Sequence, residues 1–250
     1  MRLFVRTCGL ILLLLVVFSR VGRASASEAP AERVVLLHGF GRSGLSLWQL
    51  ERFLKQAGYE VINVSYPSTI LPLDQLVEEY LPRRLTERLA ARGGRVHFVT
   101  HSMGGVLLRG YLRRHPPENL GRVVMLAPPN QGSEAADFWN RSRGVRLFAG
   151  PNLAALGTNP ESGPRAAGPV QFDLGVIAGT KSLPLFSKLL PLEPNDGAVT
   201  VVATQVAGMS DFLTLPATHL TVKRDRHALE QTVHFLRHGH FDHCAVAQSN

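Results

Sequence analysis

The chain has little of what makes a disulfide-held, metal-held or membrane-spanning protein. Its 250 residues hold two cysteines, Cys8 and Cys244, which excludes a disulfide framework. Beyond the N-terminus no stretch approaches the ~20 consecutive apolar residues of a spanning helix. There is no internal repeat and no low-complexity tract. Aromatic residues make up only 7% of the chain, and the arginines are scattered over helical segments, not interleaved with aromatics on one stripe. That argues against a nucleic-acid surface and for a solvated one with some affinity for anionic membranes. Four late histidines, His234, His238, His240 and His243, suggest a metal tract, but metal ligands need ordered elements and these read as a solvated tail. No catalytic metal and no cofactor is expected; a calcium site built from carboxylates stays open.

The first 26 residues carry Arg2 and Arg6, an apolar run from Leu10 to Phe18, and Ala24-Ser25-Ala26. This is the form of a secretory signal peptide with a small-x-small cleavage site, so a secreted or periplasmic protein is expected. An uncleaved membrane anchor is the alternative. Cys8 precedes the apolar run and is not placed as a lipoprotein cysteine. Removing the leader takes away Arg2, Arg6, Arg20 and Arg23 and no acid, so the formal charge falls from +8 to +4. Residues 27–250 are enough for one domain with a sizeable core.

Strand-like and helix-like segments alternate along that domain. Arg33–Leu37, Val61–Val64, Val96–Thr100, Val123–Leu126, Leu174–Ala178 and Phe212–Leu215 read as buried strands. Between them, Leu47, Leu50, Phe53, Leu54 and Ala57 have helical spacing stopped by Gly58, and Leu73, Leu76, Val77 and Tyr80 start a helix interrupted or kinked at Pro82. Leu229, Val233 and Leu236 mark a last helix. The alternation predicts an α/β fold with a mostly parallel central sheet and helices on both faces. Between Pro128 and Pro169 the periodicity lapses and glycine, proline and asparagine are frequent. A stretch that long inside a compact domain reads as a cap, here Ser133 to Gly168, with Phe138 and Trp139 as its apolar contacts.

Ser102 is the foremost functional candidate. Val96-His97-Phe98-Val99-Thr100 runs into His101-Ser102-Met103-Gly104-Gly105 and then a helical pattern, which predicts a strand, a tight turn and a helix with a serine at the apex. Such a turn strains the serine backbone, exposes its hydroxyl and needs small neighbours. The helix start directs free N–H groups and a positive dipole end at the serine, favouring an oxyanion there. A serine needs a base and an orienting acid. His219 follows the strand Phe212–Leu215, and Asp196 lies in the turn Pro194-Asn195-Asp196-Gly197. His227 and His234 compete for the first role, Asp173 and Asp211 for the second. The first strand runs into His38-Gly39-Phe40-Gly41, where the Phe40 N–H can join that of Met103 in one oxyanion hole. His38 and Gly39 would support that loop.

Through His38-Gly39-Phe40, Tyr66-Pro67, Thr100-His101-Ser102-Met103-Gly104-Gly105, Asn195-Asp196-Gly197 and His219, the chain resembles bacterial secreted lipases and esterases of the α/β-hydrolase fold. The chain departs from the usual serine motif in carrying Thr100 where the first glycine stands. The resemblance implies hydrolysis of carboxylic, lipid-like esters through an acyl-enzyme, with Ser102, Asp196 and His219 as triad. Acyl transfer to another acceptor, amide or thioester hydrolysis, and a non-enzymatic binding protein on the same fold are the alternatives. Expected partners are an ester or lipid substrate and a transient lipid surface.

Overall fold

A computed structural model describes residues 31–90, 93–182 and 193–247. The expected leader, with Cys8, lies outside the described residues. Six strands form one sheet: β1 (Arg33–Leu37), β2 (Glu60–Val64), β3 (Val96–His101), β4 (Leu120–Leu126), β5 (Leu174–Gly179) and β6 (Asp211–Leu215). They are ordered β2-β1-β3-β4-β5-β6, and every pairing is parallel. All six expected strands are present, because runs of β-branched and aliphatic residues buried on both faces suit a covered parallel sheet.

Alternation along each strand divides the core. Val35, Leu37, Phe98, Val123, Met125 and Val176 face one layer. There they meet the π-helical turn Leu76–Tyr80, α3 (Leu81–Ala90) and α4 (Met103–Arg114). Val34, Leu36, Val99, Val124, Leu126 and Ile177 face the other. They meet α1 (Trp48–Gln56) and, after β6, α10 (Arg226–His238). The irregularity expected at Pro82 takes the form of a π-helical turn: α2 (Leu73–Gln75) runs through Leu76–Tyr80 into α3, the local widening that accommodates a proline with no N–H for the i−4 carbonyl.

The segment after β4 is not irregular. It folds as α5 (Glu134–Asn140), α6 (Arg143–Ala149), α7 (Asn152–Ala155) and α8 (Gly163–Ala166). Ser133 and Ser142 cap the first two, accepting from Ala136 N and Val145 N. Asn152 Nδ2 donates to the carbonyls of Ser68 and Leu71, 2.8 Å each, fixing these helices onto the loop that follows β2. Between β5 and β6 lies α9 (Val201–Thr204), and α11 (His243–Ala247) closes the described chain.

The late histidines are solvated as expected, with His238, His240 and His243 exposed, but they do not form a loose tail. His234 and His238 lie on α10, Gly239 ends that helix at φ 83°, and Phe241 turns back to bury against Phe235. His243 Nε2 then stands 3.0 Å from Asp211 Oδ1. Among the described residues, no group of three or more His, Cys, Asp or Glu side chains is placed to hold a metal ion. Nor is any described helix long and apolar enough to cross a membrane.

Candidate active site

At the C-terminal end of β3 the chain turns through Ser102 into α4. Ser102 has φ 55° and ψ −126°, a conformation that L residues avoid and that costs about 1 to 3 kcal/mol unless its surroundings enforce it. The enforcement is visible. Ser102 N–H donates to the Leu126 carbonyl at 2.9 Å, tying the turn to β4. A Cβ on Gly104 would stand 2.5 Å from the Leu37 carbonyl oxygen, and one on Gly105 3.0 Å from Pro128 Cβ. Only glycines let α4 start this close to two strand ends, so the hydroxyl is held at the head of the helix.

Asp196 is placed by its own turn. Asn195 Oδ1 accepts from Gly197 N at 3.0 Å, and Gly197 takes φ 97°. Asp196 Oδ1 then accepts from Ala198 N at 2.9 Å and Val199 N at 2.8 Å. Its buried side chain thus has charge-favouring donors on one oxygen and a free second oxygen. That second oxygen lies 2.8 Å from His219 Nδ1. His219 Nε2 lies 2.9 Å from Ser102 Oγ. One proton arrangement satisfies both distances: Nδ1–H donates to the carboxylate, and the Nε2 lone pair accepts from the serine hydroxyl. Three residues from three strand ends therefore form one hydrogen-bonded line.

Sequence reasoning missed the residue beneath that line. His101 is fully enclosed, its ring centroid 5.0 Å from that of His219, and its Nε2 pairs with the His219 carbonyl at 2.8 Å. Burial first, then the neighbouring charges of His219 and Lys223, hold its pKa well below the ordinary value, so it stays neutral and Nε2–H donates. Its Nδ1 has no partner among the described residues. A histidine beside a reactive serine reads as part of the turn motif, and no spacing signal says which way its ring faces.

The loop after β1 crosses the same site. A Cβ on Gly39 would lie 3.0 Å from His101 Nδ1 and 3.1 Å from Ser102 Cβ, so glycine lets the chain pass against the serine. His38 supports the loop from below: its Nδ1 donates to the Gly39 carbonyl at 2.8 Å and its Nε2 accepts from Tyr66 N at 3.1 Å. The Tyr66 ring stacks on it at 4.0 Å, and the Tyr66 hydroxyl donates to the His38 carbonyl. This brings the Phe40 main chain beside the start of α4, where the Met103 N–H has no acceptor within its helix.

Above the serine is a cavity of about 380 Å³. Ser102 and His219 stand at its floor, and its walls include Phe40, Ala135, Ala136, Leu153, Leu156 and Val199, with Trp139 and Leu220 also lining it. Of the two expected cap aromatics, Trp139 reaches the cavity, and Phe138 packs edge-on against it at 5.3 Å. The competing residues lie elsewhere. Asp211 accepts from Phe241 N at 2.7 Å and pairs with His243. Asp173 is exposed, 3.9 Å from Arg122. His227 sits beside Glu230, and His234 Nδ1 pairs with the His240 carbonyl.

Residues 34–246 match the alpha/beta hydrolase family. The chain belongs to that family. Among curated proteins, none matches this chain in sequence. Among solved structures it is similar to the mature form of Bacillus licheniformis lipase BlEst2, at 18% identity and TM-score 0.57, over 78% of this chain and 87% of that one. It is also similar to Aspergillus fumigatus lipase B, at 16% identity and TM-score 0.62, over 83% of this chain and 53% of that one. Lipase 1 from Pelosinus fermentans aligns at 13% identity and TM-score 0.60, over 83% of this chain and 98% of that one. Against the propeptide form of the Bacillus lipase the chain spans 47% of the length. At these identities the likeness is one of fold.

Proposed function

We propose that the protein is a serine hydrolase that cleaves carboxylic esters of lipids through an acyl-enzyme. The observation that carries this reading is the line Asp196 Oδ2 to His219 Nδ1, 2.8 Å, and His219 Nε2 to Ser102 Oγ, 2.9 Å, opening into a largely apolar cavity. Ser102 Oγ attacks the ester carbonyl carbon while its proton passes to His219 Nε2, and Asp196 stabilises the imidazolium that forms. The carbonyl oxygen becomes an oxyanion beside the start of α4, where the N–H groups of Met103 and Phe40 receive it. His219 returns the proton to the departing alcohol. It then deprotonates a water that attacks the acyl-enzyme and releases the carboxylic acid and free Ser102.

The acyl chain lies along Ala135, Ala136, Leu153, Leu156 and Val199, with the segment Ser133 to Gly168 as its cap. The apolar walls those residues give the cavity support a lipid-like acyl group over a small polar one. Export to the periplasm or medium belongs to the same reading, on the strength of the N-terminal sequence.

Fluorophosphonate labelling of wild type and Ser102→Ala tests the nucleophile. A series of esters of increasing acyl length, with and without alcohol acceptors, tests the rest. Each methylene buried in the cavity contributes about 0.8 kcal/mol, so kcat/KM should climb about fourfold per methylene until the cavity is full. A flat series argues for a small-acyl esterase, and new esters of the added alcohol that dominate over free acid argue for acyl transfer.

A further inference from the structure

Nine large apolar side chains are exposed among the described residues: Leu45, Trp48, Ile70, Phe138, Trp139, Leu147, Phe148, Val202 and Leu220. Trp139 and Leu220 line the cavity over Ser102, and Leu147 and Phe148 are adjacent on α6, the helix that follows the one carrying Trp139. Scattered exposed apolar residues need no explanation, but two adjacent large ones on a single seven-residue helix do. The most exposed are Phe148 at 86%, Leu45 at 81%, Leu147 at 78% and Ile70 at 72%. The Ile70 loop meets the end of α6, since the Thr69 carbonyl lies against Gly150, the residue that ends that helix. On α6 itself Val145 and Ala149 pack on the core, which turns Leu147 and Phe148 outward. Val202 stands apart, sharing a recess with Glu134 and Glu193.

Along α6 the charge has one sign. From Phe138 to Gly150 the chain carries Arg141, Arg143 and Arg146 and no acid, and all three arginines are exposed. The nearest carboxylate in sequence, Asp137, is turned inward, accepting from Thr158 Oγ1 at 2.6 Å and Thr158 N at 3.1 Å. Arg42, also exposed, lines the opposite side of the cavity mouth. A short helix with outward Leu and Phe among arginines and without acids matches the chemistry of an anionic bilayer surface, whose headgroups attract the arginines while the apolar tips enter the acyl boundary.

We propose that the face around α6 is a docking surface for anionic phospholipid bilayers, with Leu147 and Phe148 as inserting side chains and Arg141, Arg143 and Arg146 as headgroup contacts. Docked this way, the cavity mouth faces the membrane. The inference goes beyond ester hydrolysis and does not depend on it, since binding is a property of the face and not of Ser102.

The test is vesicle co-sedimentation of the full chain in its Ser102→Ala form, so that failure of the catalytic reading leaves the result intact. Vesicles are phosphatidylcholine alone and phosphatidylcholine mixed with phosphatidylglycerol. Every variant carries the same N-terminal segment, so differences read the cap face. The expected result is preferential binding to the mixed vesicles that weakens with salt. The triple variant Arg141→Gln/Arg143→Gln/Arg146→Gln should lose on the order of a hundredfold in affinity for them, at about 1 kcal/mol per basic residue near the surface. Leu147→Ser/Phe148→Ser should bind poorly too, while in the Ser102 background neither set changes turnover of a short soluble ester. Equal binding to neutral and anionic vesicles, or unchanged binding by either variant, overturns the proposal. So does a wild-type dimer, seen by sedimentation, that Leu147→Ser/Phe148→Ser dissolves, because the patch is then an interface between copies.

Discussion

Asp196 holds His219 twice: its carboxylate accepts the ring Nδ1–H at 2.8 Å, and its main-chain carbonyl accepts the His219 N–H at 2.8 Å. Position and tautomer of the imidazole are thus secured by different atoms of one residue. Asp196→Asn keeps the main-chain tie and loses the charge that fixes the proton on Nδ1. The expected outcome is a loss of orders of magnitude in kcat that is still smaller than that of His219→Ala. Asp211→Asn is the control: its carboxylate holds Phe241 and His243, so it should lower Tm and spare kcat. A reversal between the two aspartates would move the acid assignment.

Ser102→Ala should remove ester hydrolysis by several orders of magnitude with circular dichroism unchanged. Residual activity within about tenfold of wild type contradicts the nucleophile assignment. Ser102→Gly separates chemistry from strain. Glycine accepts φ 55° without a Cβ penalty, so the glycine variant should be more stable than the alanine variant by about 1 kcal/mol, read as a difference in urea midpoint.

His101 makes stability pH-dependent. Its folded-state pKa lies well below the ordinary value, chiefly from burial, and burial pushes His38 the same way. Below the ordinary histidine value of about 6.5, the unfolded chain binds protons that the folded chain refuses, so stability falls as pH drops through that value. His101→Gln should flatten the fall in Tm between about pH 7 and pH 5. Identical slopes in both proteins would assign the pH response elsewhere.

Trp139 lines the cavity and Phe138 braces it. Phe138→Ser/Trp139→Ser should cut hydrolysis of long-chain, aggregated esters far more than that of a short soluble ester, since each ring contributes about 1.5 to 3 kcal/mol when buried against an acyl chain. The ratio of the two activities is the measurement, with thermal unfolding as control. Equal losses would indicate general damage, and no loss would mean the segment does not cover the acyl site.

The strands were legible because double-sided burial writes continuous apolar runs such as Val34–Leu37 and Val123–Leu126. Ser102 and Asp196 were legible because their turns need particular residues, glycines after the serine and Asn-Asp-Gly around the acid. The helices between Glu134 and Ala166 were not, since elements of four to seven residues end before a 3.6-residue period declares itself and owe their stability to tertiary contacts such as those of Asn152. The late histidines misled for a related reason: what orders them is Phe241 meeting Phe235, a contact no local pattern announces. His101 shows the limit most sharply, because the direction of a ring depends on a loop more than a hundred residues away.

Ser102 and His219 lie 117 residues apart and depend on strands on opposite sides of β4. During refolding the elbow can form as soon as β1, β3 and β4 associate, yet that intermediate would be chemically silent. In the proposed reading, catalytic competence needs β5 and β6 in place at the sheet edge and the loop after β6 over the serine. If hydrolysis runs through this line, recovered activity on refolding reports long-range pairing that signals from the secondary structure around Ser102 alone do not.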